Sequence, residues 1–237
     1  VNPDDIDEDY LDKLKKSKIN RLSCGIQSMS NKVLEFSNRR SRKQQNLTAL
    51  SLLQNTWNKN FSIDLICGLP EETEQSFIQG LRKILSFNPN HISMYSLTVE
   101  DETPLGNLIN KGKIEYDYDF SDALWLKSKE ILENAGYFQY EVSNFAKPGF
   151  ESRHNKVYWH IENYLGVGAG ATGTVDFYRW TNAFNVEKYT EVWENENPKT
   201  REKVKNPQEE ENLSKKEKEF EFLMMGFRLR NGVRASV

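Results

Sequence analysis

Phe61-Ser62-Ile63-Asp64-Leu65-Ile66-Cys67 is an apolar, β-branched run that stops at Gly68-Leu69-Pro70. Five apolar residues in seven, closed by Gly and Pro, predict a buried strand, interrupted only by Ser62 and the carboxylate of Asp64. Behind the stop, Thr73 is placed to cap a helix. Its Phe77, Ile78, Leu81, Ile84 and Leu85 recur at helical spacing. After Asn88-Pro89-Asn90, residues 91–97 predict another strand. A strand, a helix and a second strand in this order need a crossover connection, which makes the two strands parallel.

The same rhythm extends backwards. Ile19-Asn20-Arg21-Leu22-Ser23-Cys24-Gly25-Ile26 predicts a strand ending in Gln27-Ser28. Helical stretches at Asn31–Phe36 and residues 43–57 separate it from the second strand. Residues 4–18 predict an amphipathic helix, with Ile6, Tyr10, Leu11 and Leu14 on one face. Its acids crowd the start and its lysines the end, in the sense the helix dipole favours. The fold class is therefore α/β, with parallel strands and crossover helices. Ligands in such folds gather at the carboxyl ends of the strands. Here those ends carry Gln27-Ser28, Gly68-Leu69-Pro70 and Leu97-Thr98-Val99-Glu100.

Downstream, residues 119–135 predict a long helix ended by Gly136, and residues 137–142 a short strand. Residues 154–182 are rich in aromatics and glycine, with a strand expected at 174–181. Residues 194–219 are dense in Glu, Lys and Asn and read as a solvated loop or frayed helix. A last helix over 214–230 presents Phe220, Phe222, Leu223, Met224 and Phe227, a face expected to pack on something. Gly168-Ala169-Gly170-Ala171-Thr172-Gly173 matches the dinucleotide-binding glycine pattern, which has meaning only between a strand and a helix. Strand formers follow it here, so a nicotinamide fold is rejected.

The 237 residues suit one large domain, or one domain with an appendage, and 37% hydrophobic against 28% charged residues fits a globular protein. No apolar run approaches the ~20 residues of a membrane helix, and the acidic start is no signal peptide. A net charge of −3 offers no case for general nucleic-acid binding. Two cysteines, Cys24 and Cys67, make no disulfide framework and read as small core residues in a reducing cytoplasm. They are too few for a four-iron cluster. Val1 is no initiator residue, and both ends read as cuts inside a longer protein.

Five stretches, in order, together resemble the HemW subgroup of radical S-adenosylmethionine (SAM) proteins, a branch of the oxygen-independent coproporphyrinogen III oxidase-like family. They are Arg21-Leu22-Ser23-Cys24-Gly25-Ile26-Gln27-Ser28, Asp64-Leu65-Ile66-Cys67-Gly68-Leu69-Pro70, His91-Ile92-Ser93-Met94-Tyr95-Ser96-Leu97, Tyr140-Glu141-Val142-Ser143-Asn144-Phe145-Ala146-Lys147-Pro148-Gly149 and His154-Asn155-Lys156-Val157-Tyr158-Trp159. The resemblance implies a partial (β/α) radical-SAM-type barrel over residues 1–136, lacking its first strands and cluster loop. Residues 137–237 are then a barrel-closing and accessory α+β region, with the C-terminal tail truncated. Of the family's Glu-x-Asn-Pro stretch only Val1-Asn2-Pro3 stands here, and the cluster cysteines that precede it are absent.

The resemblance also implies site residues. Gln27 and Asp64 match positions that hydrogen-bond the SAM ribose. Arg39 matches the arginine that meets the cofactor's polar end. Arg40 beside it leaves the register open, and Ser41 stands where the family often has histidine. His154 is the candidate haem-iron ligand, Asn155 its orienting neighbour, and Tyr158 and Trp159 candidate porphyrin contacts. His91 and His160 flank apolar runs and read as structural; Tyr140, Glu141 and Arg179 are expected to form a buried polar network, with no chemistry assigned. The implied cofactors are SAM, a [4Fe-4S] cluster and haem; the implied partners are haem or porphyrin and haem-acceptor proteins. Three functions stand open: a haem chaperone, a coproporphyrinogen III oxidase, and an inactive structural fragment.

Overall fold

A computed structural model describes residues 1–194 and 207–234, in two compact units, the first Val1–Glu151 and the second from Ser152 onward. In the first unit, β1 (Arg21–Gln27), β2 (Asn60–Cys67) and β3 (His91–Ser96) run parallel. Two short strands close this sheet: β4 (Phe138–Gln139) and β5 (Asn144–Ala146). The sheet order is β1-β2-β3-β5-β4, with β5 antiparallel to both neighbours.

Helices α1 (Glu8–Lys15), α2 (Asn31–Phe36), α3 (Lys43–Leu52), α4 (Glu74–Leu85), α5 (Pro104–Asn110) and α6 (Tyr118–Asn134) complete the unit. Helices α2 and α3 cross from β1 to β2, and α4 crosses from β2 to β3. Thr73 caps α4 as its sequence predicts, its hydroxyl accepting from the backbone of Ser76 at 3.1 Å.

The alternation of side chains sorts the sheet into two unlike faces. Leu22, Cys24, Ile26, Ile63, Leu65, Ile92, Met94 and Phe145 fill the core with Trp57, Leu81, Ile84, Leu124 and Leu132. The opposite face is polar, with Ser23, Gly25, Asp64, Ser93 and Asn144 side by side through the register of β1, β2, β3 and β5. A parallel sheet normally buries apolar residues on both faces; this one reserves a face for polar groups.

Several boundaries differ from expectation. The first helix starts at Glu8, not residue 4, because Asp7 caps it by accepting from Tyr10 N at 2.7 Å. Residues 43–57 are α3 followed by a wider turn over Leu53–Trp57. Helix α5 was not expected; its signal is Thr103-Pro104, a cap hydroxyl accepting from Gly106 N at 3.1 Å with Pro in the first turn. Residues 137–142 hold only β4, and β5 lies beyond them.

The second unit contains α7 (Arg153–Trp159), strands β6 (Thr172–Val175), β7 (Tyr178–Asn182) and β8 (Pro207–Asn212), and helices α8 (Val186–Glu194) and α9 (Lys215–Gly226). The single strand expected at 174–181 is an antiparallel hairpin, turned at Asp176-Phe177. Asp176 takes φ 53°, a left-handed conformation its short polar side chain tolerates. Asn163 accepts from its backbone N–H at 2.8 Å. Part of the charged stretch expected to be a loop is β8, paired with β7, and α9 starts at Lys215; residues 195–206 lie outside the described residues. The apolar face of α9 is open, with Phe220 and Phe227 67% and 73% exposed. The glycine-rich stretch at 168–173 leads into β6, a strand and not a helix, which removes the dinucleotide reading.

Candidate functional site

The polar residues singled out at the ends of β1 and β2 converge. Gly25 and Asp64 are direct neighbours across the two strands, and the ladder is irregular between Gly25 and Gln27. Gln27 takes φ 65° there. This left-handed turn folds its amide back over Gly25: a Cβ on Gly25 would stand 2.8 Å from Gln27 Nε2 and 3.6 Å from Arg39 Nη2. Glycine at 25 is therefore the clearance in which the two side chains meet.

Arg39 follows α2, and its Nη2 donates to Gly25 O at 2.9 Å and Asn2 Oδ1 at 3.1 Å. Arg40 turns outward to Asp4 and Asp5, at 3.0 and 3.2 Å, and is 68% exposed. The geometry thus puts Arg39, not Arg40, at the end of β1. Asp64 is oriented by Ser23, whose Oγ lies 2.8 and 3.0 Å from the two carboxylate oxygens.

Two neighbours escaped the sequence reading. Asn2 is one; its backbone precedes a short helical turn, and its side chain bridges to Arg39. Glu72 is the other, an acid 8% exposed in the turn after β2. Ser28 Oγ donates to its Oε1 at 3.0 Å, and Gly68 N to its Oε2 at 3.2 Å. Burial pushes this carboxyl up to about 8, against the lowering effect of those hydrogen bonds. Its signal is an acid set directly behind Gly68-Leu69-Pro70.

Lower on the same face, His91 is held at both ring nitrogens, by Ser62 Oγ at 2.7 Å and Tyr140 Oη at 2.8 Å. Burial drives its pKa down to about 3. Tyr140 thus braces His91, and Arg179 in the second unit meets Glu211 and Glu221 at 3.2 and 2.7 Å.

In the second unit, α7 begins at the cap Ser152 and carries the predicted haem residues. His154 and Tyr158, four apart, share a helix face. Tyr158 Oη lies 3.2 Å from His154 Nε2, and the rings meet edge-on with centroids 4.9 Å apart. Tyr158, not Asn155, orients that imidazole. Tyr158 is itself edge-on to Tyr164 at 4.7 Å. His154 is exposed, while Asn155 and Trp159 are half-buried. His160, read as structural, is exposed at the end of the helix.

The family model described as the radical SAM superfamily matches residues 1–84. The chain is 34% identical to the haem chaperone HemW of Lactococcus lactis, over 98% of this chain and 59% of that protein. It is 36% identical to Bacillus subtilis HemW over 81% of this chain and 51% of the relative. The chain thus carries a radical SAM match in its first 84 residues and is similar to HemW haem chaperones along most of its length. It spans about half to three-fifths of the length of these HemW relatives. Among solved structures, coproporphyrinogen III oxidase (HemN) from Escherichia coli superposes with a TM-score of 0.74 at 20% identity, over 97% of this chain and 54% of that one. That likeness shows a shared fold.

The polar cluster at the ends of β1 and β2 fits SAM on its own chemistry. Beside the clearance at Gly25, Arg39 Nε is buried without a hydrogen-bond partner among the described residues. Asp64, Gln27 and Arg39 together offer an acceptor, an amide and a cation. A cluster has no such fit on this chain. No group of three or more metal-binding side chains stands together among the described residues. Cys24 and Cys67 are buried in the apolar core, where burial raises both thiols, Cys24 up to about 12.

Proposed function

We propose that this chain is the SAM-binding part of a haem chaperone, which binds haem and delivers it to acceptor proteins in the cytoplasm, with SAM and a [4Fe-4S] cluster as cofactors of the intact protein. The observation that carries the reading is the convergence of Gln27, Arg39 and Asp64 on Gly25 in a chain about a third identical to HemW. In this reading Asp64, oriented by Ser23, accepts from the ribose hydroxyls of SAM, and the Gln27 amide donates and accepts beside it. Arg39, anchored by Gly25 and Asn2, faces the carboxylate end of the cofactor. Bound SAM would supply radical chemistry, and these residues would bind and orient it.

Haem contact is assigned to His154, Asn155, Tyr158 and Trp159 on α7, with His154 the candidate iron ligand, its ring fixed by Tyr158. The test is a haem titration of the purified full-length protein and its His154→Ala form, followed in the absorption band of bound haem. Saturable one-to-one binding supports the chaperone reading. No specific binding, with decarboxylation of coproporphyrinogen on adding SAM and reductant, sinks it in favour of the oxidase.

A further inference from the structure

Strand β1 does not end as a plain strand. The N–H of Ser28 donates to Ile26 O at 2.8 Å, closing a three-residue turn around Gln27. With φ 65° at its centre, this is the γ-turn of the rare, strained hand. The ladder to β2 is irregular at the same place. It is this turn that carries the Gln27 amide back over Gly25, beside Arg39. A residue other than glycine keeps such a backbone only where its surroundings over-determine it.

Asn46, fully buried near the start of α3, supplies that constraint. Its Nδ2 donates to Ser28 O at 3.1 Å and reaches Ile26 O at 3.5 Å. These are the carbonyls on either side of Gln27, so one amide grips the turn at both ends. An amide offers two N–H donors on one atom without a charge. Its oxygen, Oδ1, is buried with no hydrogen-bond partner among the described residues. Leaving a buried carbonyl oxygen unpaired costs stability. Packing alone therefore does not account for an amide at this position; its N–H groups do. From the far side, Ser28 Oγ is tied to Glu72 at 3.0 Å, so the residue after the turn is held both from α3 and from the turn after β2.

We propose that Asn46 is a positioning residue for the candidate SAM site: its amide holds the Gln27 turn left-handed, and through that turn fixes the Gln27 side chain in the clearance at Gly25. The proposal rests on the SAM reading of Gln27 above and adds to it a residue that acts only through another. Without the grip, Gln27 relaxes to a negative φ and its amide leaves the side of Arg39. Aspartate at this position has the same shape but no N–H, and sets a carboxylate against two carbonyl oxygens. Serine keeps one donor, on a side chain too short to span both carbonyls.

A double-mutant cycle on the full-length protein with its cluster decides it. SAM is titrated calorimetrically into wild type, Asn46→Asp, Gln27→Ala and the double variant, and the melting of each SAM-free form is recorded beside it. Asn46→Asp should weaken SAM binding roughly tenfold, Gln27→Ala by a similar factor, and the double variant no further than Gln27→Ala. A merely structural Asn46 lowers the melting temperature and weakens SAM by the same factor whether or not Gln27 is present; such additivity overturns the proposal. Undiminished affinity in Asn46→Asp, with Gln27→Ala weakened, also overturns it and leaves the SAM reading standing. Undiminished affinity in Gln27→Ala instead takes Gln27 out of the SAM site, and the reading on which the proposal rests goes with it. Should Asn46→Asp not fold, Asn46→Ser is carried through the same cycle and judged by the same outcomes.

Discussion

Ser28 and Glu72 lie 44 residues apart in sequence, yet the serine hydroxyl donates to the buried carboxyl at 3.0 Å. The bond ties the end of β1 to the turn after β2, where Gly68 N meets the other oxygen of the same carboxyl. The two loops that frame the candidate SAM site are therefore held by one ionisable group.

That group makes stability pH-dependent. Burial raises the Glu72 carboxyl from 4.5 to about 8, so the folded chain holds a proton that the unfolded chain has released. Stability from this site is full below about 4.5 and falls as pH rises toward 8, by up to a few kcal/mol. Melting temperatures measured from pH 6.5 to 8.5 should fall for wild type and stay nearly flat for Glu72→Gln. A parallel decline in both proteins would exclude Glu72 as the source.

His91 works in the opposite direction. Its folded pKa of about 3 lies below the ordinary 6.5, so the unfolded chain takes up a proton first. Stability is lost as pH falls from 6.5 toward 3, opposing the Glu72 slope in the window they share. Tyr140→Phe removes the partner of His91 Nε2 and should cost ~1–3 kcal/mol near neutrality. Denaturant unfolding at pH 7 checks this, and an unchanged midpoint would mean that another group takes over the nitrogen.

Gly25→Ala separates binding from folding. The new methyl would stand 2.8 Å from Gln27 Nε2, the far end of a flexible side chain, which can swing away. The melting point should change little while SAM loses roughly tenfold in affinity, ~1.4 kcal/mol. Calorimetric titration with SAM reads this directly; undiminished affinity would take Gln27 out of the SAM site.

Ile161→Gly should stabilise the second unit. It relieves a left-handed β-branched residue, a strain of ~1–2 kcal/mol, partly offset by greater freedom in the unfolded chain. A higher melting temperature is the expected result. A lower melting temperature would mean that the Ile161 side chain stabilises the fold more than its backbone strains it.

The parallel strands, their crossover helices and the Thr73 cap were legible because each depends on residues close in sequence: apolar runs, Gly-Pro stops and hydroxyls before helices. Gln27, Asp64 and Arg39 were singled out as matches to a family pattern, and the structure brings all three to Gly25. Helix α5 and strand β5 were missed. A seven-residue helix offers too few turns for periodicity, and three residues offer none. Asn2 and Glu72 were missed because their roles exist only across β1, where Asn2 meets Arg39 and Glu72 meets Ser28.

The sequence by itself therefore determined the α/β rhythm and the likeness to HemW proteins, since local pattern suffices for those. Only the tertiary structure decided that Arg39 and not Arg40 reaches β1, that Tyr158 and not Asn155 fixes His154, and that His160 lines a groove with Lys215 and Lys218. The first two are choices between neighbours that a sequence alone leaves equally within reach. It is the direction of the side chain, set by helix phase and strand register, that separates them.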